Sequence, residues 1–247
     1  MVAIYDKIGH YYSLTRQTDP RIQQRLLTEL RGARRILNIG AGAGSYEPVE
    51  ANLVAVEPSA KMIAQRNTGS HPVEQACAEK LPFADASFSH AMTVLSMHHW
   101  EDRAKAFAEI NRVATDKFIA ITWDPSAEPF WLTRDYFPQI HSMDMELFPG
   151  VSTLAEFFDA VSVAPLPIPE DCLDGFLAAF WKRPQAYLDS SVRQSISAFA
   201  KIADPDSGLE KLAADLESGV WEHNNADILS QSELDAGYRL VVARIKR

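Results

Sequence analysis

Residues 36–44 read ILNIGAGAG, a short apolar run that leads directly into three glycines at alternate positions. Such a run is typical of a buried strand. Glycine tolerates positive φ and has no Cβ, so the backbone at Gly40 and Gly42 can turn sharply and touch a flat ligand. These residues predict a ligand-binding loop at the carboxyl end of the first strand.

A carboxylate follows at the end of the next predicted strand. Residues 53–56 read LVAV, and Glu57 comes directly after them. A carboxylate at this position offers two acceptor oxygens to the two hydroxyls of a ribose. Together with the glycine loop, Glu57 predicts a nucleoside site at the end of a parallel sheet. The alternative interpretation is a tight turn and a surface glutamate.

The spacing of the glycines indicates which nucleoside is bound. A dinucleotide loop reads GxGxxG, and its third glycine lets a helix pack closely and present its N-terminus to the pyrophosphate. Here the glycines fall as GxGxG, and Glu47 just beyond them would oppose a pyrophosphate. The pattern therefore favours S-adenosylmethionine, which carries no phosphate, over NAD.

Around this loop the chain alternates strand-like and helical segments, which is typical of a parallel sheet covered by helices. The predicted strands are residues 35–39, 53–56, 73–77, 88–95, 118–123, 161–164 and 238–245, and the predicted helices are residues 20–30, a segment from about 60, and residues 101–113. Residues 124–235 are richer in proline and aromatic residues, and they predict a helical insertion or cap between the fifth strand and the last. We expect a single domain over residues 1–247.

The composition narrows the possible partners. The formal net charge is -9 with no dense stripe of Lys or Arg, which disfavours nucleic acid, because neutralised phosphates supply much of that affinity. No apolar run approaches the roughly 20 residues of a membrane helix, and the first 20 residues lack a signal-peptide core. The two cysteines, Cys77 and Cys172, form no disulfide framework or zinc spacing. We therefore expect a cytoplasmic protein with a small-molecule partner, no membrane partner and no metal.

Residues 36 to about 123 resemble the class I S-adenosylmethionine-dependent methyltransferases, close to their small-molecule branch. Four segments carry the resemblance in the family's order and spacing: the glycine loop, VAVEPS at 54–59, ACAEKLPF at 76–83 with DASF at 85–88, and VLSMHHW at 94–100. They resemble, in turn, the first motif, the second motif, the segment that holds the adenine, and the strand end that faces the methyl donor.

This resemblance implies a Rossmann-like, doubly wound α/β fold with a mostly parallel seven-stranded sheet, its last strand antiparallel, and a helical insertion or cap. It also implies transfer of a methyl group from S-adenosylmethionine to a small molecule. The loop glycines would line the methionine moiety, and the residues after the third strand would border the adenine. The cofactor-binding residues implied in this core are Gly40, Ala41, Gly42, Glu57, Pro58, Met62, Cys77, Ala78, Val94 and Leu95.

Three positions depart from the family pattern. The family often has Asp where Asn38, Cys77 and Ser89 stand. Asn38 can still organise the loop by hydrogen bonding. Cys77 cannot accept strongly from the adenine amino group, so that contact would fall to the backbone or to Glu79.

The two flanking regions are expected to close the site. In similar methyltransferases the N-terminal segment folds over the cofactor, so residues 1–30 are expected to form a helical lid. Arg16 would pair with the methionine carboxylate, and Tyr11 would shield the sulfonium with its ring face. The alternative is a solvated helix. The insertion at about 124–235 is expected to cover the acceptor, and its aromatic residues suggest that the acceptor is apolar or aromatic.

Methyl transfer requires alignment of nucleophile, methyl group and sulfur, and exclusion of water. A base helps when the acceptor must lose a proton. His98 and His99 lie just past the fourth strand, and His99 is our predicted base; the alternative is that one histidine caps the next helix and the other is solvated. Two rival functions stay open here: an NAD(P)-dependent oxidoreductase and a non-catalytic nucleoside-binding module.

Overall fold

A computed structural model describes residues 16–246 of the chain. Its main sheet has seven strands in the order β3-β2-β1-β4-β5-β9-β6. The first five are parallel, and β9 runs antiparallel between β5 and β6. The doubly wound, mostly parallel sheet with an antiparallel last strand is thus confirmed. These strands are β1 (Ile36–Ile39), β2 (Leu53–Val56), β3 (Val73–Glu74), β4 (Phe88–Val94), β5 (Ala114–Trp123), β6 (Ala160–Pro165) and β9 (Tyr238–Arg244).

Three helices accompany the parallel part of the sheet: α1 (Pro20–Glu29), α2 (Ala60–Ile63) and α3 (Arg103–Val113). Local chemistry sets where each begins. The side chains of Asp19, Ser59 and Asp102 accept hydrogen bonds from backbone N–H groups in the first turns of α1, α2 and α3. This capping satisfies donors that have no partner within the helix.

Both faces of the sheet are covered by apolar residues. Leu26 of α1 packs on one face with Met92 and Ile119, and Phe107 of α3 packs on the other with Phe118. Because both faces are covered, all four residues of β1 and six of the seven residues of β4 are buried, including the polar side chains of Asn38 and His90. The carboxyl ends of β1, β2 and β4 therefore meet at one edge, which is where the glycine loop lies.

Residues 124–235 contain most of the remaining helices and return once to the sheet. The α-helices of this region are α4 (Pro138–Leu147), α5 (Ser190–Ser195), α6 (Asp206–Glu217), α7 (Val220–Asn224) and α8 (Ala226–Leu229). The region also contains a π-helix at Leu132–Tyr136 and 3-10 helices at Val151–Glu156 and Pro184–Leu188, and a further 3-10 helix, Met97–His99, follows β4. β6 forms the sheet edge beside β9, and β7 (Ile168–Pro169) pairs with β8 (Glu233–Leu234) in a separate ribbon. The sequence did not predict this ribbon, because each of its strands has two residues and no periodicity.

The cap helices have an apolar core of their own. Trp131, Phe137, Tyr187 and Trp221 are buried together there. The indole of Trp131 donates to the Trp181 carbonyl at 2.8 Å, so its polar edge is satisfied inside the cap. Over residues 16–246, we find no helix with the length and apolarity that crossing a membrane requires.

Candidate active site

The glycine loop folds over the end of β2. The N–H groups of Gly40 and Ala41 donate to the Val56 carbonyl at 2.9 and 3.0 Å. Gly40 has a φ of 68°, and a Cβ there would lie 2.2 Å from the Ser96 hydroxyl oxygen. Ser96 itself donates to the Ile39 carbonyl at 3.2 Å. Gly40 is therefore required twice, by its backbone conformation and by the close approach of Ser96.

Glu57 lies against this loop and is buried. One carboxylate oxygen accepts from the Gly42 N–H at 2.9 Å, and the other accepts from the Ser59 N–H at 2.9 Å. Met62 is also buried, and its terminal methyl lies 3.4 Å from the position of a Cβ at Gly42. The structure thus brings Glu57, Met62 and the glycine loop together. In the adenine segment, Ala78 is buried, whereas Cys77 is exposed.

A buried ion pair organises the far side of the loop. Arg66 donates to one oxygen of Glu47 at 2.6 Å, and the Asn38 amide donates to the other at 3.0 Å. Asn38 therefore suits this position better than Asp, which would place two carboxylates side by side. Arg66 also changes the argument made from sequence, because it neutralises the Glu47 charge that was expected to oppose a pyrophosphate. The discrimination against a dinucleotide then depends on the glycine spacing.

Arg16 is held at the loop by a residue from the cap. Its Nε donates to Asp174 Oδ1 at 2.6 Å, and the Tyr46 hydroxyl donates to Asp174 Oδ2 at 2.9 Å. Asp174 is fully buried, and Arg16 is only 10% exposed. Burial and the nearby Asp174 charge raise the pKa of Tyr46. Asp174 was missed by the sequence analysis, and Tyr11 lies outside the described residues.

Two cavities adjoin at Arg16 and the end of β4. The first, which we call the loop cavity, is lined by Arg16, Asn38, Gly40, Ala41, Gly42, Ala43, Ser45, Tyr46 and Val94. The second, which we call the aromatic cavity, is also lined by Arg16 and by Leu95. Val94 and Leu95, which are successive residues at the end of β4, therefore line different cavities.

Leu95 has an unusual backbone conformation at this junction. Its φ is 50°, and its N–H donates to the Ile121 carbonyl at 2.8 Å. A non-glycine residue in this region costs about 1–3 kcal/mol and persists only where its surroundings hold it there. This turn sends the chain from the loop cavity at Val94 toward the aromatic cavity.

The aromatic cavity combines flat apolar walls with ionisable side chains. Its aromatic walls are Trp123, Phe130, Phe148, Phe176 and Tyr238, and its ionisable residues besides Arg16 are His98, His141, Asp144 and Lys201. Burial raises the pKa of Asp144 to about 7 against the attraction of Lys201. Burial also lowers the pKa of Lys201. Sequence reasoning singled out some of the aromatic residues but gave no signal for Asp144 or Lys201.

The two neighbouring histidines differ in what they face. His98 lines the aromatic cavity and stacks on Phe148 with ring centroids 4.1 Å apart. His99 packs against His98 at 3.8 Å and is not among the described residues that line this cavity. Burial lowers the pKa of His99 to about 3, and burial with neighbouring positive charges lowers that of His98 well below its ordinary value. The role of His99 stays a prediction, and the geometry favours His98.

Comparisons with known proteins place this site in a wider context. A family model described as a methyltransferase domain matches residues 37–118. The crystal structure of a putative methyltransferase from an antibiotic biosynthesis pathway of Anabaena variabilis is 33% identical, with a TM-score of 0.85; the alignment covers 93% of this chain and 98% of that one.

Two curated relatives match over shorter regions. The uncharacterized methyltransferase YcgJ of Bacillus subtilis is 33% identical over 34% of this chain and 38% of its own length. The ubiquinone/menaquinone biosynthesis C-methyltransferase UbiE of Citrifermentans bemidjiense is 23% identical over 55% of this chain and 63% of its own. The chain thus spans less than two thirds of these two relatives.

Proposed function

The chain belongs to the class I S-adenosylmethionine-dependent methyltransferases, and we propose that it transfers the methyl group of S-adenosylmethionine to a small acceptor held in the aromatic cavity. The observation that carries this proposal is the meeting of the two cavities at Arg16 and at the end of β4. A donor in one cavity and an acceptor in the other would be separated only by that strand end.

The residues around the loop cavity fit the proposed cofactor. The bare backbone of Gly40, Ala41 and Gly42 leaves room for the methionine moiety, and Arg16 supplies a positive charge for its carboxylate. The Glu57 oxygens accept from the N–H groups of Gly42 and Ser59, and a carboxylate oxygen can accept more than one hydrogen bond, so Glu57 can also accept from the ribose hydroxyls. Pro58, Met62, Cys77 and Ala78 would border the adenosine, and Val94 and Leu95 the sulfonium.

S-adenosylmethionine, when bound, supplies an already activated methyl group. The protein's residues then have to hold the acceptor in line with the donor and keep water away. The aromatic walls would keep water away, because they surround the acceptor with apolar surface from the cap and from the ends of β5 and β9. The expected lid at residues 1–30 and cap at about 124–235, as parts of one domain over 1–247, belong to this proposal.

The acceptor's general character follows from the same cavity. Its aromatic lining supports a small apolar or aromatic molecule. The net charge of -9 supports a partner other than nucleic acid. A cytoplasmic location, expected from the cysteine usage, stays a prediction.

Calorimetry on the purified chain tests this function. We expect S-adenosylhomocysteine to bind and NADH not to bind, and we expect release of S-adenosylhomocysteine when S-adenosylmethionine and an acceptor are supplied together. Binding of NADH in place of S-adenosylhomocysteine would support the oxidoreductase reading instead. Binding of the nucleoside without turnover across phenols, amines and carboxylates would indicate the non-catalytic module.

A further inference from the structure

Four ionisable side chains that line the aromatic cavity have no side-chain hydrogen bond or ion pair within residues 16–246: His98, His141, Asp144 and Lys201. The buried charges around the loop cavity are arranged differently, because Arg66 pairs with Glu47 and Arg16 with Asp174. Desolvated polar groups without partners are costly. Their collection around one cavity points to a ligand that supplies partners for them.

The charge in this cavity favours an anion. Lys201 is a partly buried cation, whereas Arg16, at the border with the loop cavity, is already paired with Asp174. The opposing carboxyl, Asp144, lies beyond ion-pair distance from Lys201. Because burial raises its pKa to about 7, Asp144 is only partly charged at neutral pH. A cationic acceptor would meet these positive groups and the donor's sulfonium, whereas an oxyanion would be attracted to them.

His98 is placed to take a proton close to the donor. It lies in the 3-10 helix Met97–His99, two residues beyond the strained Leu95. Its Nδ1 is buried and has no hydrogen-bond partner among the described residues, so Nε2 is the nitrogen left to accept from a ligand. Burial first, and then the His99 ring and the positive charges of Lys201, Arg103 and Arg16, lower the pKa of His98 well below its ordinary value, which favours the neutral imidazole. A neutral imidazole can accept a proton.

We propose that the acceptor is an aromatic molecule with an acidic hydroxyl, that Lys201 binds its oxyanion, and that His98 is the catalytic base. This inference rests on the proposed function. The aromatic residues, among them Trp123, Phe130 and Phe148, supply flat surfaces for the ring. The proposal thus accounts for the walls, the unpartnered cation and the unpartnered imidazole with one ligand.

The proposed step is transfer of the methyl group to the hydroxyl oxygen of the acceptor. The hydroxyl proton moves to His98 Nε2, and an oxygen lone pair forms the new bond to the methyl carbon. The bond from that carbon to sulfur breaks, and its electron pair stays on sulfur, which becomes a neutral thioether. The imidazolium then releases its proton to solvent, so each turnover yields the methyl ether, S-adenosylhomocysteine and one proton.

A coloured probe tests the oxyanion site without turnover. 4-Nitrophenol absorbs visible light strongly as its anion, so its spectrum reports ionisation when it binds the protein saturated with S-adenosylhomocysteine. We expect bound 4-nitrophenol to be shifted toward the anion in the wild type, and we expect Lys201→Met to abolish that shift. Lys105→Met is the matched control, because Lys105 is exposed on α3, and it should behave as the wild type.

The outcomes of this test are distinct. No binding of S-adenosylhomocysteine would overturn the proposed function. Binding of S-adenosylhomocysteine with no ionisation of 4-nitrophenol, or a shift that survives Lys201→Met, would overturn only the inference about the acceptor. Preferential binding of 4-nitroaniline, which has the same shape without an acidic hydroxyl, would also overturn it.

Kinetics on phenols of different acidity test the base. General-base catalysis contributes about 10²–10⁴-fold, so His98→Gln should lower kcat by that factor on phenol itself. The loss should be under about 10-fold on 4-nitrophenol at a pH where it is already ionised, since no proton needs removal. Equal losses on both phenols, or methylation of anilines in preference to phenols, would overturn the proposal. His223→Gln, at an exposed site, is the matched control and should change neither rate.

Discussion

The two cavities of this protein differ in how completely their polar groups are satisfied. Around the loop cavity, Glu47, Glu57 and Asp174 each accept hydrogen bonds from the protein itself. In the aromatic cavity, Asp144 and Lys201 have no such partner among the residues described. The first region is organised before any ligand arrives, and the second is organised for its ligand. Substitutions around the loop cavity should therefore lower the stability of the protein, whereas a substitution in the aromatic cavity can raise it.

The largest effect is expected at Gly40. In Gly40→Val, the new Cβ would meet the Ser96 side chain, and the positive φ adds strain, so we expect a loss of about 2–5 kcal/mol in unfolding free energy and no detectable binding of S-adenosylhomocysteine. Denaturant unfolding and calorimetry measure the two effects. Gly69→Val is the control, because Gly69 has a positive φ but no neighbour within 4 Å. Equal stability losses in both variants would contradict the argument from close approach.

The next effect is expected at Asp174. Asp174→Asn keeps the shape but leaves Arg16 as a buried charge without its counterion, so we expect unfolding free energy to fall by about 3 kcal/mol. Thermal and denaturant unfolding measure it. Asp171, three residues before Asp174, forms an exposed ion pair with Arg21. Asp171→Asn removes that pair and should leave the unfolding free energy unchanged. Equal stability of the two variants would show that the buried ion pair between Arg16 and Asp174 contributes nothing to the unfolding free energy.

A smaller effect is expected at Glu57, and it concerns binding. Glu57→Ala should weaken binding of S-adenosylhomocysteine by about 1.5–3 kcal/mol, the range for hydrogen bonds to a charged group. Calorimetry gives the dissociation constant directly. Gln75, whose side chain donates to the Pro58 carbonyl nearby, offers a control in Gln75→Ala. An unchanged dissociation constant in Glu57→Ala would remove Glu57 from the site.

An effect of the opposite sign is expected at Asp144. Because the folded-state pKa is raised to about 7, the folded protein binds more protons than the unfolded chain between about pH 4 and 7, and stability falls as pH rises through that window. Asp144→Asn removes the ionisation, so the variant should be about 4 kcal/mol more stable than the wild type at pH 8, at about 1.4 kcal/mol for each pH unit between the two pKa values, and equal to it near pH 4. Unfolding curves at both pH values measure this. A variant less stable at pH 8 would show that the carboxylate has a partner there.

The sequence predicted the loop region well because its determinants are local. Each follows a short apolar run directly, Gly40 after residues 36–39 and Glu57 after residues 53–56, so these patterns alone indicate that Gly40 and Glu57 lie at one sheet edge. The aromatic cavity has no such pattern. Asp174 lies 158 residues from Arg16 in the chain, and Lys201 reaches the wall from a region without a motif.

Side-chain direction was also beyond what sequence could predict. His98 and His99 are adjacent and chemically identical, and the geometry of a single 3-10 turn decides which one lines the cavity. The same holds for the aromatic residues at the end of β5 and in the cap. Trp123 and Phe130 line the cavity, whereas Trp131 belongs to the cap's own core, and their spacing does not distinguish these roles.

Arg16 has one further consequence as a wall shared by both cavities. A ligand that draws its guanidinium toward one side alters the field felt on the other. Thermodynamic linkage requires this influence to be mutual, so the factor by which nucleoside occupancy changes acceptor affinity must equal the factor in the reverse direction. One arginine thus couples the affinities of the two cavities, whichever ligand binds first.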